Sequence, residues 1–238
     1  VSVLPTLVSE EDHPLVALKK IFAHIKTVRS PGLPRLSGGA VGYFGYESVQ
    51  LVEDVPIVER DEFDIPDALL LFYDVVLVFD NLRHQIFLVS NAYLPESGRS
   101  EQILQSEYRK ASEEIARLKR LLNVTISPEI GQAELKGPLQ QITSKIEFCE
   151  SVNRSRDYIA AGDIFQVVLS QRLEQKAAVA PFDLYRTLRI INPSPYMYFL
   201  HCGDFSIIGA SPEMLVRVEG AVVETRPIAG TRRRGKTK

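Results

Sequence analysis

The first half of the chain alternates between helix-like and strand-like patterns of apolar residues. Apolar positions recur three and four residues apart over 12–28 and again over 101–122, which predicts two amphipathic helices. Between them, residues 69–79 are β-branched and aromatic, and a polar turn separates them from a second apolar run over 86–89. This arrangement predicts a β-hairpin.

The second half begins with a helix signature. Ser144 and Glu147 have the spacing of a capping box, and Gly162 stands where the helix would end. A further helix is predicted over 182–190, and strands are predicted over 165–173, 196–201, 205–208 and 214–218. Strands that follow one another without a helix between each pair favour an α+β fold with mainly antiparallel sheets packed with helices.

The stretch 123–139 is richer in proline, glycine and polar residues than its surroundings. Such a composition is typical of a linker. We therefore predict two regions, 1–139 and 140–238.

Composition and charge limit the classes of partner. The 238 residues are 45% apolar and 24% charged, as in an ordinary globular protein. The net charge of −2 gives no reason to expect a nucleic acid or an anionic membrane surface as a partner, and no apolar run is long enough to span a bilayer. Cys149 and Cys202 form no C-x-x-C pair, which suits a reducing cytosol. We expect a cytoplasmic protein.

Two glycine patterns are misleading when read alone. The stretch 39–45 lacks the G-x-G start of a dinucleotide fingerprint, so we predict a glycine-rich strand with a close backbone approach. Residues 230–237 match a phosphate loop letter by letter, but Pro227 interrupts the preceding strand and no helix follows. The chain starts without methionine and stops in the basic stretch 232–238, so we expect truncation at both ends.

Four segments of the second half resemble the chorismate-utilising enzymes, most closely anthranilate synthase component I, in order and spacing. They are 162–172 (GDIFQVVLSQR), 192–197 (NPSPYM), 209–215 (GASPEML) and 225–232 (TRPIAGTR), with 39–46 (GAVGYFGY) as a fifth, N-terminal match. The resemblance implies that 1–139 is the N-terminal region of a large subunit and that 140–238 is the first part of its chorismate-binding catalytic domain.

This resemblance implies a general acid at Glu213. In the family's reaction ammonia adds at carbon 2 of chorismate while the hydroxyl at carbon 4 leaves. Hydroxide is a poor leaving group, and a positioned acid that protonates it contributes roughly 10²–10⁴-fold. A carboxyl that donates a proton near neutral pH needs a raised pKa, so we expect Glu213 in a partly desolvated position.

Two positions discriminate among members of the family. Related enzymes that add water carry a lysine at the position of Gln166, and a neutral amide cannot take a proton from water. Aminodeoxychorismate synthases, as a rule, carry a nucleophilic lysine at the position of Ala229, and a methyl group cannot form a covalent intermediate. Both residues therefore favour direct amination to anthranilate, with an aminodeoxychorismate synthase large subunit as the alternative.

The resemblance also implies two binding sites. Gly230 and Thr231, next to Ala229, match the substrate-binding pair, in which glycine allows close approach to a carboxylate and threonine donates a hydrogen bond. The residues that match the family's site for L-tryptophan as a feedback inhibitor are Pro195, Tyr196 and Met197.

The remaining implications concern ligands and partners. The acidic ligands of Mg2+ are expected beyond residue 238, and ammonia is expected from a glutamine amidotransferase subunit. We expect these 238 residues alone to be inactive. A rival of another class is a non-catalytic tryptophan-binding or assembly module.

Overall fold

The chain forms two compact units, Val1–Ile126 and Ser127–Lys238. The computed structural model describes residues 8–9, 11–28, 30–56, 63–94, 100–125, 131, 134–228, 230, 233 and 235.

In its described residues, the first unit contains two α-helices, one 3-10 helix and two antiparallel strand pairs. Its elements are α1 (Pro14–His24), β1 (Gly39–Phe44), a 3-10 helix (Tyr46–Leu51), β2 (Ala68–Tyr73), β3 (Val75–Asp80), β4 (Gln85–Ser90) and α2 (Glu101–Leu121). Strand β1 pairs with β2 and β3 pairs with β4. Helix α1 is shorter than the predicted 12–28 because the chain becomes extended at Ile25.

The stretch predicted as one strand over 69–79 is in fact two strands with different partners. The break falls at Asp74, whose carbonyl oxygen accepts hydrogen bonds from the backbone N–H (2.8 Å) and the side-chain amide (2.9 Å) of Asn91. The same amide donates to the carbonyl of Ser37 at 2.6 Å. The predicted β-hairpin is confirmed as β3–β4, with its turn between Asp80 and Gln85. Its first strand was predicted too long, because Asn91 fixes a break at Asp74 from outside the local sequence.

The strand predicted from the glycine-rich stretch is confirmed as β1. Gly42 lies opposite Leu70, and the backbone of Leu69 and Leu70 leaves no room for a side chain at this position. Glycine is therefore required by a close backbone approach.

Helix α2 confirms the second predicted helix of this unit. The hydroxyl of Ser100 accepts the N–H of Ile103 at 3.3 Å and caps the helix. Helix α2 packs against β4, where Val89 is 8% exposed and is the buried apolar residue of the described part of the chain.

The described part of the second unit contains two helices and three antiparallel strand pairs. Its elements are β5 (Glu134–Gln141), α3 (Lys145–Ala161), β6 (Leu173–Ala178), α4 (Pro181–Ile191), β7 (Tyr196–His201), β8 (Ser206–Ser211), β9 (Arg217–Glu219) and β10 (Val222–Glu224). The pairs are β5–β6, β7–β8 and β9–β10. Helices with antiparallel pairs in both units confirm the α+β class.

The capping box is confirmed. The Ser144 hydroxyl accepts the N–H of Glu147 at 3.2 Å, and the Glu147 carboxylate accepts the N–H of Ser144 at 2.8 Å. Gly162 ends α3 in the left-handed conformation, with φ of 86°.

Two predictions in this unit were wrong. Residues 134–139, predicted as linker, belong to β5, which pairs with β6. The strand predicted over 165–173 begins at Leu173, where pairing with Gln141 starts. Apolar, β-branched residues favour a strand only where a partner strand is available, and the described residues supply no partner for 165–171.

The hairpin β7–β8 carries the site motifs and packs on α4. Phe199 of β7 contacts Phe182 and Tyr185 of α4, with ring centroids 5.4 Å and 5.9 Å apart. Helix α4 therefore covers the face of the hairpin that holds Phe199.

Candidate active site

Glu213 follows directly after the end of β8. Pro212, which has no backbone N–H, ends the strand. The hydroxyl of Ser211 donates to the carbonyl oxygen of Glu213 at 2.9 Å and accepts its N–H at 3.2 Å. One side chain therefore holds both backbone polar groups of Glu213.

The carboxyl group of Glu213 is held from a second segment. Its Oε1 accepts the backbone N–H of Ile228 at 3.0 Å. Ile228 belongs to the segment 225–232, so this bond joins two motifs that lie 15 residues apart along the chain.

Glu213 is exposed. The described residues do not supply the desolvated surroundings that we expected for a general acid. Leu215, two residues further along the chain, is 87% exposed.

An ion-pair cluster fixes the chain that leads to Ile228. Glu224 of β10 pairs with Arg217 of β9 and accepts a hydrogen bond from Nε of Arg226 at 2.6 Å. The hydrogen bond from Arg226 is the largest cause of a lowered pKa of Glu224, and the charge of Arg217 adds to it. The sequence analysis missed this cluster, although two arginines and two glutamates at 217, 219, 224 and 226 were visible.

The three residues predicted to bind tryptophan lie at the start of β7. Tyr196 pairs with Ser211, and Met197 pairs with Ala210. Neighbouring residues of a strand point to opposite faces, so Met197 shares the face of Phe199 while Tyr196 lies on the other. Pro195 immediately precedes the strand and is exposed.

The face of Tyr196 also holds a close contact that the sequence did not reveal. Tyr198 pairs with Gly209, and the ring of Tyr198 lies directly over the position where Gly209 would carry a side chain. The ring of Tyr198 covers the backbone at residue 209, which explains why the 209–215 motif has a glycine there.

The structure brings only part of the predicted site together. Gln166 is exposed and lies in the segment 165–171, outside any strand, and within the described residues no hydrogen bond joins it to Glu213. Ala229 and Thr231, and most of the phosphate-loop match, lie outside the described residues. Gly230 is described and exposed, with open space where a Cβ would stand.

The described residues contain no cluster of three or more histidine, cysteine or acidic side chains that suits a metal ion. A search of the same residues finds no helix that combines the length and the apolarity of a membrane span. Cys149 and Cys202 are free thiols.

Comparison with known proteins gives matches along nearly the whole chain. The family described as chorismate binding enzyme matches residues 6–238. The anthranilate synthase component 1 of Acetivibrio thermocellus is 44% identical over 233 residues, which cover 96% of this chain and 46% of that protein. That of Pseudomonas putida is 40% identical over 252 residues, with 100% and 49% covered. The chain spans about half the length of these curated relatives.

A solved structure is similar as well. The crystal structure of anthranilate synthase component I from Streptococcus pneumoniae TIGR4 has a TM-score of 0.73 and 32% sequence identity. The match covers 91% of this chain and 47% of that one.

Proposed function

The chain belongs to the chorismate binding enzymes, and we propose that it forms part of an anthranilate synthase large subunit, a lyase that converts chorismate and ammonia to anthranilate and pyruvate in tryptophan biosynthesis. The family predicted from the motifs is thereby confirmed. The relatives named anthranilate synthase component 1 support this activity over that of the aminodeoxychorismate synthases.

One observation carries the assignment of the site. The hydrogen bond of 3.0 Å from the Ile228 N–H to Oε1 of Glu213 joins the 209–215 motif to the 225–232 motif. Gly230 lies two residues beyond this bond and has open space above its backbone. A carboxyl group bonded to the segment that carries an accessible glycine backbone suits a small ring that needs both a proton and carboxylate binding.

In the proposed reaction, Glu213 protonates the hydroxyl that leaves carbon 4 of chorismate. Ammonia attacks carbon 2 with its own lone pair, so the neutral amide of Gln166 is sufficient near the nucleophile. Ala229 provides no nucleophile, which is consistent with direct amination. We assign Gly230 and Thr231 to binding of a substrate carboxylate.

The partners and ligands follow from the same proposal. A glutamine amidotransferase subunit supplies ammonia, and L-tryptophan binds at Pro195, Tyr196 and Met197 as inhibitor in a cytoplasmic enzyme. Mg2+ is the expected cofactor, with its ligands in residues beyond 238. The 1–139 and 140–238 regions correspond to the N-terminal region and the start of the catalytic domain. These 238 residues alone are then inactive.

The test is a chimeric subunit in which residues 1–238 replace the matching half of the Acetivibrio thermocellus component 1. The chimera is supplied with chorismate, ammonia and Mg2+, and anthranilate is followed by its fluorescence. We expect turnover by the chimera and none by the isolated chain. Glu213→Gln, which keeps size and removes the proton donor, lowers kcat by roughly 10²–10⁴-fold.

The matched control is Glu150→Gln, on an exposed position of α3, which leaves kcat unchanged. The assignment of Glu213 is wrong if Glu213→Gln retains the parent rate. Turnover by the isolated chain contradicts the expectation that it is incomplete. Tryptophan binding without chorismate binding, in the chimera, supports the non-catalytic module instead.

A further inference from the structure

Ser211 forms hydrogen bonds with Glu213, the predicted general acid, and pairs with Tyr196, which is predicted to bind tryptophan. We propose that Ser211 is a positioning residue, which orients Glu213 for catalysis and links it to Tyr196 of the tryptophan-binding segment. This inference rests on the proposed function of Glu213 and names a residue that controls it.

The first link consists of the hydrogen bonds between Ser211 and Glu213. The Ser211 hydroxyl bonds both the carbonyl (2.9 Å) and the N–H (3.2 Å) of Glu213, across a proline whose φ is fixed by its ring. Serine often makes such local bonds in turns without further consequence. Here the residue that is held also has its carboxyl group fixed by Ile228 at 3.0 Å, so backbone and side chain of Glu213 are anchored independently.

These two anchors define where the proton donor stands. If the Ser211 bonds are lost, the backbone of Glu213 is free to shift while Oε1 stays tied to Ile228, and the carboxyl group rotates. A misplacement of about 1 Å at a reacting group can cost roughly 10²-fold in rate. Ser211 is therefore expected to act on the chemical step and to leave substrate affinity nearly unchanged.

The second link is the pairing across β7–β8. Tyr196 and Ser211 are direct partners in the antiparallel register, so their side chains stand on the same face of the hairpin. A ligand that displaces Tyr196 displaces its partner in the ladder, since the two backbones are joined by the pairing. Ser211 then passes this displacement to Glu213 through its hydroxyl.

The experiment uses the chimeric subunit with Ser211→Ala, Ser211→Thr and the control Ser206→Ala. Ser206 begins the same strand, and its hydroxyl lies 3.3 Å from Nδ1 of His201, away from Glu213. We expect Ser211→Ala to lower kcat about tenfold with KM within about twofold, Ser211→Thr to recover most of the loss, and Ser206→Ala to match the parent. Circular dichroism verifies that each variant is folded.

Tryptophan binding and inhibition test the second link independently of the first. In Ser211→Ala, tryptophan is expected to bind within about twofold of the parent affinity by calorimetry, but to inhibit kcat less. Equal inhibition of the parent and the variant overturns the link to Tyr196. A Ser211→Ala kcat equal to the parent, or a threonine variant no better than alanine, overturns the positioning role. If Glu213→Gln is itself fully active, the proposed function fails, whatever Ser211 shows.

Discussion

The two carboxyl oxygens of Glu213 have different surroundings. Oε1 accepts the N–H of Ile228, and in the described part of the chain Oε2 accepts no hydrogen bond. A general acid needs one oxygen to carry the proton to the leaving group, so in the proposed mechanism Oε2 is the oxygen that takes part in the chemical step. The bond at Oε1 then fixes the direction in which the proton is presented.

Two glycines of the paired strands allow a matched test of close packing. A Cβ at Gly42 would lie 2.8 Å from the carbonyl carbon of Leu69 and 2.9 Å from Cα of Leu70, which are backbone atoms and cannot turn aside. A Cβ at Gly209 would meet the ring of Tyr198, which is 44% exposed and can rotate away.

We therefore expect Gly42→Ala to lower the free energy of unfolding of the chimeric subunit by roughly 2–3 kcal/mol. Gly209→Ala is expected to cost less than about 1 kcal/mol, because a side chain gives way more easily than a strand. Urea unfolding of both variants measures the difference. Equal losses would show that the backbone of β2 adjusts as readily as the tyrosine ring.

At this scale the sequence predicted residue types better than their contacts. The need for glycine in 39–45 and the candidate Glu213 were visible in the motifs. The roles of Ser211, Ile228 and Tyr198 were not, because each acts through a hydrogen bond or ring contact that only the folded chain creates. Ile228, which binds the Glu213 carboxyl group, is 15 residues away in sequence, so no local sequence pattern predicts this contact.

Among the elements, the helices follow from local signals, and so do β1 and β7, which lie where they were predicted, whereas the limits of other strands do not. Capping residues and periodicity located α2 and α3 to within a residue or two, since a helix satisfies its own hydrogen bonds. The strand β6 was misplaced, and the stretch 69–79 was not divided, because a strand depends on its partner. Gln141, distant in sequence, decides where the pairing of β6 begins. Asn91 decides where the stretch 69–79 is divided.

The capping box of α3 predicts a pH dependence. The hydrogen bonds from Ser144 to Glu147 lower the pKa of this carboxyl from its ordinary 4.5. A depressed pKa in the folded state adds stability above the unfolded value. This contribution is complete above about pH 4.5 and disappears as the pH falls through the lower, folded-state pKa.

The measurement compares the parent with Glu147→Gln, whose amide retains the capping geometry without the charge. We expect the parent to be more stable to urea at pH 7 and the two to converge well below pH 4.5. Ser144→Ala removes the cap and costs about 1 kcal/mol. A stability difference between parent and Glu147→Gln that is the same at pH 7 and pH 3 would contradict the assignment of the charge to the cap.

For the whole molecule, the described residues expose large apolar side chains of the family motifs. Phe165 and Val168 are 92% and 84% exposed in one family motif, and Leu215 is 87% exposed in another. We expect this apolar area to be covered by the second half of component 1 in the chimeric subunit.

The isolated chain should therefore unfold without a sharp transition, because cooperativity comes from a shared core. We expect broad calorimetric melting and binding of a hydrophobic dye for residues 1–238 alone. The chimeric subunit is expected to melt sharply and to bind little dye, since its second half covers the apolar motif residues. Phe165→Ser, at an exposed position of the isolated chain, should leave that chain unchanged yet destabilise the chimera. A single transition of the isolated chain with an enthalpy near the globular value of about 0.7 kcal/mol per residue would contradict this expectation.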